Sequence, residues 1–163
     1  MGFSLNFAEG ELDALHTART PSTFATRPEA VKRLFENYAE VEKAYYRKTR
    51  IFPIMHTVVI RRELYRANRW IAQSLYKAFV QAQRRTYENL ATTMALTTML
   101  PWQAAHVEEA RRELGEDWWP YGLERNRRVL ETFLRYHHEQ GLSKRRLEAD
   151  ELFAPETLAT FRV

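Results

Sequence analysis

Apolar residues recur at helical spacing from Leu64 onward, so this part of the chain is predicted to be almost wholly helical. One long stripe, on a helix expected to reach Leu90, is formed by Leu64, Ile71, Leu75, Phe79 and Ala82. Asn68 is a plausible cap for this helix, because its short amide side chain can satisfy a free backbone group.

The remaining C-terminal sequence predicts three further helices. Proline and glycine punctuation places one at residues 101–115 and another at residues 122–140. Ser143 is expected to cap a last short helix that ends near Phe153. Residues 91–100 stay ambiguous, because threonines interrupt their apolar residues and weaken the helical signal.

Residues 54–61 give the clearest strand signal in the chain. Met55, Thr57, Val58, Val59 and Ile60 are apolar or β-favouring. Because the run does not alternate with polar residues, it predicts a strand that is buried on both faces and needs neighbours in a sheet.

The N-terminal part predicts a short strand ending near His16, a loop at residues 19–28, and helices at residues 31–38 and 39–48. A buried strand and a short second strand in front of a helical block indicate an α/β protein that is rich in helix and has few strands. The strands that would complete its sheet are expected to lie elsewhere.

Composition narrows the functional classes. The chain of 163 residues has no cysteine, which excludes disulfides, thiolate metal sites and a cysteine nucleophile. No stretch has the length of a signal peptide or a membrane span, so we expect a cytoplasmic protein without a membrane partner. The net charge of +4 is mild, and acidic residues are interleaved with most of the arginine pairs. This pattern favours a solvated helix surface over nucleic-acid binding.

Four stretches resemble a known family: GELDALHTARTPSTF from Gly10, VEKAYYRKTRIFPIMHTVVIRRELY from Val41, WWPYGLERNRRVLETFLRYHHEQGLS from Trp118, and ELFAPETL from Glu151. Together they resemble the C-terminal half of the 4,5-dihydroxyphthalate decarboxylases, relatives of the type II periplasmic solute-binding proteins. The resemblance implies part of that two-lobed fold. Residues 1–62 would be a remnant of the second lobe with the hinge strand, and residues 63–163 a C-terminal helical region.

The activity that this resemblance implies is carboxy-lyase chemistry, the non-oxidative decarboxylation of an aromatic diacid to protocatechuate. The partners implied are a small aromatic carboxylate and, because the chain is about half a family member, a separate first-lobe chain or a second copy. Two alternatives stay open. One is a solute-binding relative without catalysis, and the other is a structural remnant that assembles as an oligomer.

His56 is the candidate catalytic residue, because an imidazole exchanges protons near neutral pH and the hinge strand would form the floor of a cleft. Arg19 is the candidate carboxylate anchor, with Ser22 and His16 beside it in the sequence. Trp118, Trp119 and Tyr121 could stack on a substrate ring, and Trp119 and Tyr121 are the candidate ring-binding residues. The competing interpretations are a buried structural histidine, an exposed loop arginine, and aromatic residues that only fill a gap.

A metal site is not predicted. His106 and Glu109 have the i, i+3 spacing of helical metal ligands, but one such pair is a weak signal. The sequence indicates no particular cofactor.

Overall fold

The computed structural model describes residues 7–158, and within that range it contains helices and no β-strand. The helices are α1 Ser22–Thr26, α2 Tyr38–Thr49, α3 Arg62–Ala67, α4 Trp70–Ala91, α5 Gln103–Leu114, α6 Leu123–Glu139 and α7 Ala149–Leu152, followed by a 3-10 turn at Pro155–Thr157. The predicted α/β class, with part of a periplasmic-binding-protein-like sheet, is therefore wrong for this chain.

The predicted strand at residues 54–61 is the main error. Residues 51–61 belong to no helix or strand, and Val59 is 87% exposed. A strand must hydrogen-bond to a neighbouring strand, and the described part of the chain offers none. The short strand predicted to end near His16 is wrong for the same reason, since residues 9–21 have no regular structure.

The chain divides into two compact units between Tyr45 and Tyr46, inside α2. The predicted assignment of residues 1–62 and 63–163 to a lobe remnant and a helical region stays a prediction. Residues 1–6 and 159–163 of those two ranges lie outside the described part.

The first unit has few buried residues and is stabilised by contacts between Arg33 and two aromatic rings. Thr23 and Val31 are its buried residues, and the guanidinium of Arg33 lies 5.1 Å from the ring of Phe24 and 4.7 Å from that of Tyr38. The helix predicted at residues 31–38 is wrong, because residues 31–37 belong to no helix and α2 begins only at Tyr38. The helix predicted at residues 39–48 is confirmed as α2.

The core of the second unit lies between α6 and α7. The buried residues Leu123, Leu130, Leu134 and Ala149 form one cluster, against which Leu147, Phe153 and Leu158 pack. Leu130 and Leu134 are one helical turn apart, so both lie on the same face of α6. Burying each leucine contributes about 1.5–3 kcal/mol, which makes this cluster the main apolar anchor of the C-terminal end.

Asn68 divides the long helix that the sequence predicts. Its side-chain amide donates a hydrogen bond to the carbonyl oxygen of Leu64 at 3.4 Å, and its backbone N–H donates to the same oxygen at 3.0 Å. Both bonds close the end of α3, and α4 begins at Trp70. The prediction that Asn68 caps the long helix is therefore wrong, because it closes the C-terminal end of the short helix α3 and Arg69 precedes α4.

The face of α4 that carries Ala72 is buried, whereas the face that carries Leu75 and Phe79 is partly exposed. Ala72, at 5% exposed, lies on the face that the helix turns toward its neighbours, and α4 contacts α5 and the 3-10 turn. Leu75 and Phe79 belong to the apolar stripe predicted from the sequence, yet they are 38% and 41% exposed. We call this stripe, formed by Ile71, Leu75, Phe79 and Ala82, the open stripe.

Candidate functional site

The predicted residues of the first unit lie at its surface. His16, Arg19 and Ser22 are all exposed, and Ser22 is the first residue of α1. The Thr17 hydroxyl donates to the Arg19 carbonyl oxygen at 3.1 Å and accepts from the Arg19 backbone N–H at 3.2 Å. These two bonds fix the backbone of the turn that carries Arg19.

The predicted residues of the second unit are His56, Trp119 and Tyr121. His56 is exposed within the irregular segment 51–61. The ring of Phe52, at the start of that segment, meets the ring of Trp119 edge-on with the centroids 5.7 Å apart. Trp119 and Tyr121 lie on the connection between α5 and α6, residues 115–122, which we call the aromatic loop.

Side chains of α4 hold the aromatic loop from one side. The Tyr87 hydroxyl accepts a hydrogen bond from the backbone N–H of Trp119 at 2.9 Å and donates one to Oδ1 of Asp117 at 3.2 Å. The amide of Gln83, one turn earlier on the helix, donates to the carbonyl oxygen of Trp119. The loop backbone is therefore bound by side chains of a rigid helix.

Burial raises the pKa of Tyr87 to about 12, and the nearby Asp117 carboxylate adds to the shift, although the bond from Trp119 opposes it. At neutral pH the group is therefore a neutral phenol that can donate to Asp117 and accept from Trp119 at the same time.

α6 holds the other end of the aromatic loop. The Asn126 amide donates to the carbonyl oxygens of Pro120 at 2.8 Å and Gly122 at 2.9 Å. Gly122 has a φ of 93°, and the Tyr76 hydroxyl occupies the position that a β-carbon would take there. Glycine is required at this residue because of both its backbone conformation and the approach of Tyr76.

Trp118 forms a wall of an open, mainly apolar pocket of about 200 Å³. The other lining residues are Leu90, Leu100, Gln103, His106, Val107 and Ala110. The Tyr87 ring packs on the Trp118 ring with their centroids 4.2 Å apart. We call this space the Trp118 pocket.

Gln103 fixes the floor of the Trp118 pocket. It is 2% exposed, and its amide donates to the carbonyl oxygen of Leu90 at 3.3 Å while its side-chain oxygen accepts from the Thr98 hydroxyl. One buried side chain thus ties the end of α4, the loop after it and the start of α5 together. Because its amide nitrogen and oxygen are both bonded, Gln103 costs little to bury.

Arg111 lies beside the Trp118 wall. Its guanidinium carbon is 5.7 Å from the Trp118 ring, and its Nε lies 3.4 Å from a carboxylate oxygen of Glu116. That Nε is buried and makes no hydrogen bond to the described residues, because the contact with Glu116 lacks hydrogen-bond geometry. A buried cationic donor without a hydrogen-bonded acceptor favours an anion nearby.

The sequence does not predict this pocket. Trp118 stands out in the sequence as one of three loop aromatics that could stack on a ring, and His106 only as half of a weak metal-ligand pair. Gln103 carries no signal of its own. The i, i+3 and i, i+4 spacing of Gln103, His106 and Val107 does indicate that they share one face of α5. Only the fold shows that Trp118 lies opposite that face and completes the pocket. Across residues 7–158 no group of three or more potential metal ligands is brought together.

No helix in the described range is both long and apolar enough to cross a membrane. No protein-family model matches the chain.

A search of curated proteins finds a 4,5-dihydroxyphthalate decarboxylase from Comamonas testosteroni that is 36% identical over 156 residues. The match covers 96% of this chain and 47% of the relative, so the chain spans about half the length of the protein that it matches. This finding confirms the predicted relationship in sequence, although not the predicted fold. The chain is therefore related, over nearly its whole length, to a 4,5-dihydroxyphthalate decarboxylase.

Proposed function

We propose that the chain takes part in the non-oxidative decarboxylation of an aromatic diacid, with 4,5-dihydroxyphthalate as substrate and protocatechuate as product. The observation that carries this proposal is the 36% identity to a protein named for that activity, extending over 96% of the chain. A relationship of this length makes the same class of substrate, an aromatic carboxylate, the first to test.

The reaction breaks the bond between a ring carbon and its carboxylate and releases carbon dioxide, while a proton takes the vacated position on the ring. A ring hydroxyl para to the leaving carboxylate helps the ring carbon to accept that proton first, and loss of carbon dioxide then restores aromaticity. A site for this chemistry needs a proton donor at the ring carbon and a cation for the carboxylate that stays.

His56 is the proposed proton donor. It is accessible and lies four positions after Phe52, whose ring contacts Trp119. Four residue steps span at most about 14 Å between Cα atoms, so the chain keeps His56 in the neighbourhood of Phe52. In this proposal Trp119 and Tyr121 contribute ring contacts.

For the first unit we separately propose that Arg19 binds a carboxylate, with Ser22 and His16 as neighbouring donors. The support is that the mutual bonds of Thr17 and Arg19 fix the backbone of an exposed turn, which leaves the guanidinium available to an anion. Replacing Arg19 with Gln would then weaken carboxylate binding without changing stability.

We further propose that catalysis requires a second polypeptide equivalent to the part of the relative that this chain does not span. Two observations support this. The chain matches only 47% of the relative, and among the described residues large apolar side chains are exposed, such as Val58, Val59, Leu75 and Phe79. Contiguous exposed apolar surface typically marks an interaction site.

The test is a reconstitution. The purified chain, the remaining part of the relative, and their mixture are each incubated with 4,5-dihydroxyphthalate, and protocatechuate is quantified by liquid chromatography. We expect product from the mixture alone. Saturable ligand binding without product would indicate a binding protein instead of an enzyme. The absence of both binding and product would refute the proposal.

His56→Gln tests the proton donor within the same mixture. We expect turnover to fall about 100-fold or more, the usual contribution of general acid catalysis, with an unchanged melting temperature. His137→Gln on α6 is the matched control, since that ring packs on Phe133 and has no assigned role. Full activity in the His56 variant would remove His56 from the mechanism.

A further inference from the structure

We infer that the Trp118 pocket binds a single aromatic ring that carries a carboxylate. This inference rests on the proposed function and deepens it, because it assigns the substrate ring to a pocket whose lining residues, apart from Trp118, were not predicted from the sequence to bind substrate. Three properties of the pocket carry it: its volume, the rigidity of its walls and the charge of its surroundings.

The volume suits one ring. The pocket holds about 200 Å³, and an apolar cavity of about 150 Å³ in another protein binds benzene. One ring with a carboxylate or hydroxyl substituent therefore fits. Because the pocket is open, polar substituents can stay in water while the ring contacts Val107, Ala110 and Trp118.

The walls are fixed before any ligand arrives. Tyr87 packs against Trp118 at 4.2 Å and binds the loop on both sides of that residue through Asp117 and the Trp119 amide. Gln103 is held at both ends of its amide. A ligand would therefore bind without the cost of ordering these side chains, which is how preorganised sites gain affinity.

The surroundings favour an anion. None of the lining residues is acidic, and His106 contributes an imidazole to the wall. Arg111 adds a guanidinium beside Trp118 whose buried Nε has no hydrogen-bonded acceptor. Glu116 is the competing carboxylate, 3.4 Å from that Nε and itself exposed, so a ligand carboxylate can take its place at low cost.

The test is calorimetric titration of the full chain with phthalate, benzoate and acetate. We expect saturable binding of the two aromatic acids and at least about tenfold weaker binding of acetate, which has no ring to bury against Trp118. Absence of saturable phthalate binding, or equal affinity for acetate, would overturn the inference.

Variants then locate the site. Ala110→Leu fills the pocket and is expected to weaken phthalate binding at least about tenfold, whereas Trp70→Phe, a change at an exposed residue outside the pocket, leaves it unaltered. If Ala110→Leu fails to fold, Leu100→Trp obstructs the same space from the exposed loop side. Unchanged affinity in the folded filling variant would overturn the inference.

The charge component has its own readout. Arg111→Met should weaken phthalate binding and leave phenol binding unaffected, so an equal loss of affinity for both ligands would contradict the anion preference.

The experiments distinguish a failure of the inference from a failure of the proposed function. Phthalate binding in the pocket without turnover in the reconstituted mixture would remove only the function, and turnover that is insensitive to Ala110→Leu would remove only the inference.

Discussion

Residues 123–158 and residues 51–61 both carry large apolar side chains, and these side chains differ in burial. In the first region Leu123, Leu130, Leu134 and Ala149 are buried together, whereas in the second Val58 and Val59 stay in water. A helix such as α6 satisfies its own backbone hydrogen bonds and needs only one apolar face covered. An extended segment depends on another strand for its backbone bonds, so its apolar side chains alone do not fix its structure.

The largest expected effect tests this contrast directly. Leu134→Ala, at a residue 5% exposed, should lower the free energy of unfolding by about 2–5 kcal/mol, because it leaves a cavity between α6 and α7. Val59→Ala should lower it by less than about 0.5 kcal/mol. Urea denaturation followed by circular dichroism measures both values.

Equal losses in these two variants would mean that residues 51–61 are packed in solution and would break the comparison. Phe133→Ala, next to Leu134 but on the exposed side of α6, is the matched control for a change of side-chain size on the same helix.

Gly122→Ala should have an intermediate effect, about 2–3 kcal/mol, since it adds backbone strain at a φ of 93° to displacement of the Tyr76 hydroxyl. Gly115→Ala, at a similar φ of 96°, carries strain alone, because nothing lies within 4 Å of its added β-carbon, and should cost about 1–2 kcal/mol. The difference in urea midpoints between the two variants isolates the contact with Tyr76. Identical midpoints would show that the aromatic loop is not packed on α4 as described.

The smallest expected effect is on the stability of the fold at acidic pH. The Arg127 guanidinium, bonded to Asp150 at 2.7 and 3.1 Å, holds the pKa of that carboxyl below its ordinary value of 3.8. Because the folded-state pKa is lowered, this contribution to stability is present above pH 3.8 and is lost as the pH falls through the folded-state pKa. We expect Asp150→Asn to flatten the fall of melting temperature between about pH 5 and 3.

Glu139→Gln is the control for this acid effect. Its carboxylate lies 3.7 Å from Arg135, a looser pair on the same helix, so the variant should keep the acid slope of the parent chain. An Asp150→Asn profile that is parallel to the parent profile would show that the pair with Arg127 does not form in solution.

Sequence patterns predicted those helices whose signals are local. Glycine after Leu114 and on either side of α6 marks the ends of α5 and α6 within two residues of the observed bounds. The patterns failed where structure depends on distant groups. The run at residues 54–61 has β-favouring side chains but no partner strand among the described residues, and Leu75 and Phe79 on the open stripe of α4 are only partly covered there.

The candidate site shows the same limit. Trp118 and His106 drew attention by residue type, but their neighbourhood depends on the fold of the loop between α5 and α6, which is held by Tyr87 on another helix. Gln103 has no distinguishing sequence signal, because a buried glutamine reads as an ordinary helix residue. The roles predicted for His56 and Arg19 remain predictions, since the relationship to a decarboxylase does not test individual residues.

The bonds that Asn126, Gln83 and Tyr87 make to the aromatic loop end mostly on its main-chain atoms. A path set in this way does not depend on which side chains stand at residues 119 and 121. Those two residues can therefore be exchanged to accommodate differently substituted molecules while the turn itself keeps its course. The side chains of this surface can therefore change during evolution while its backbone path is kept, as in binding loops carried on rigid scaffolds.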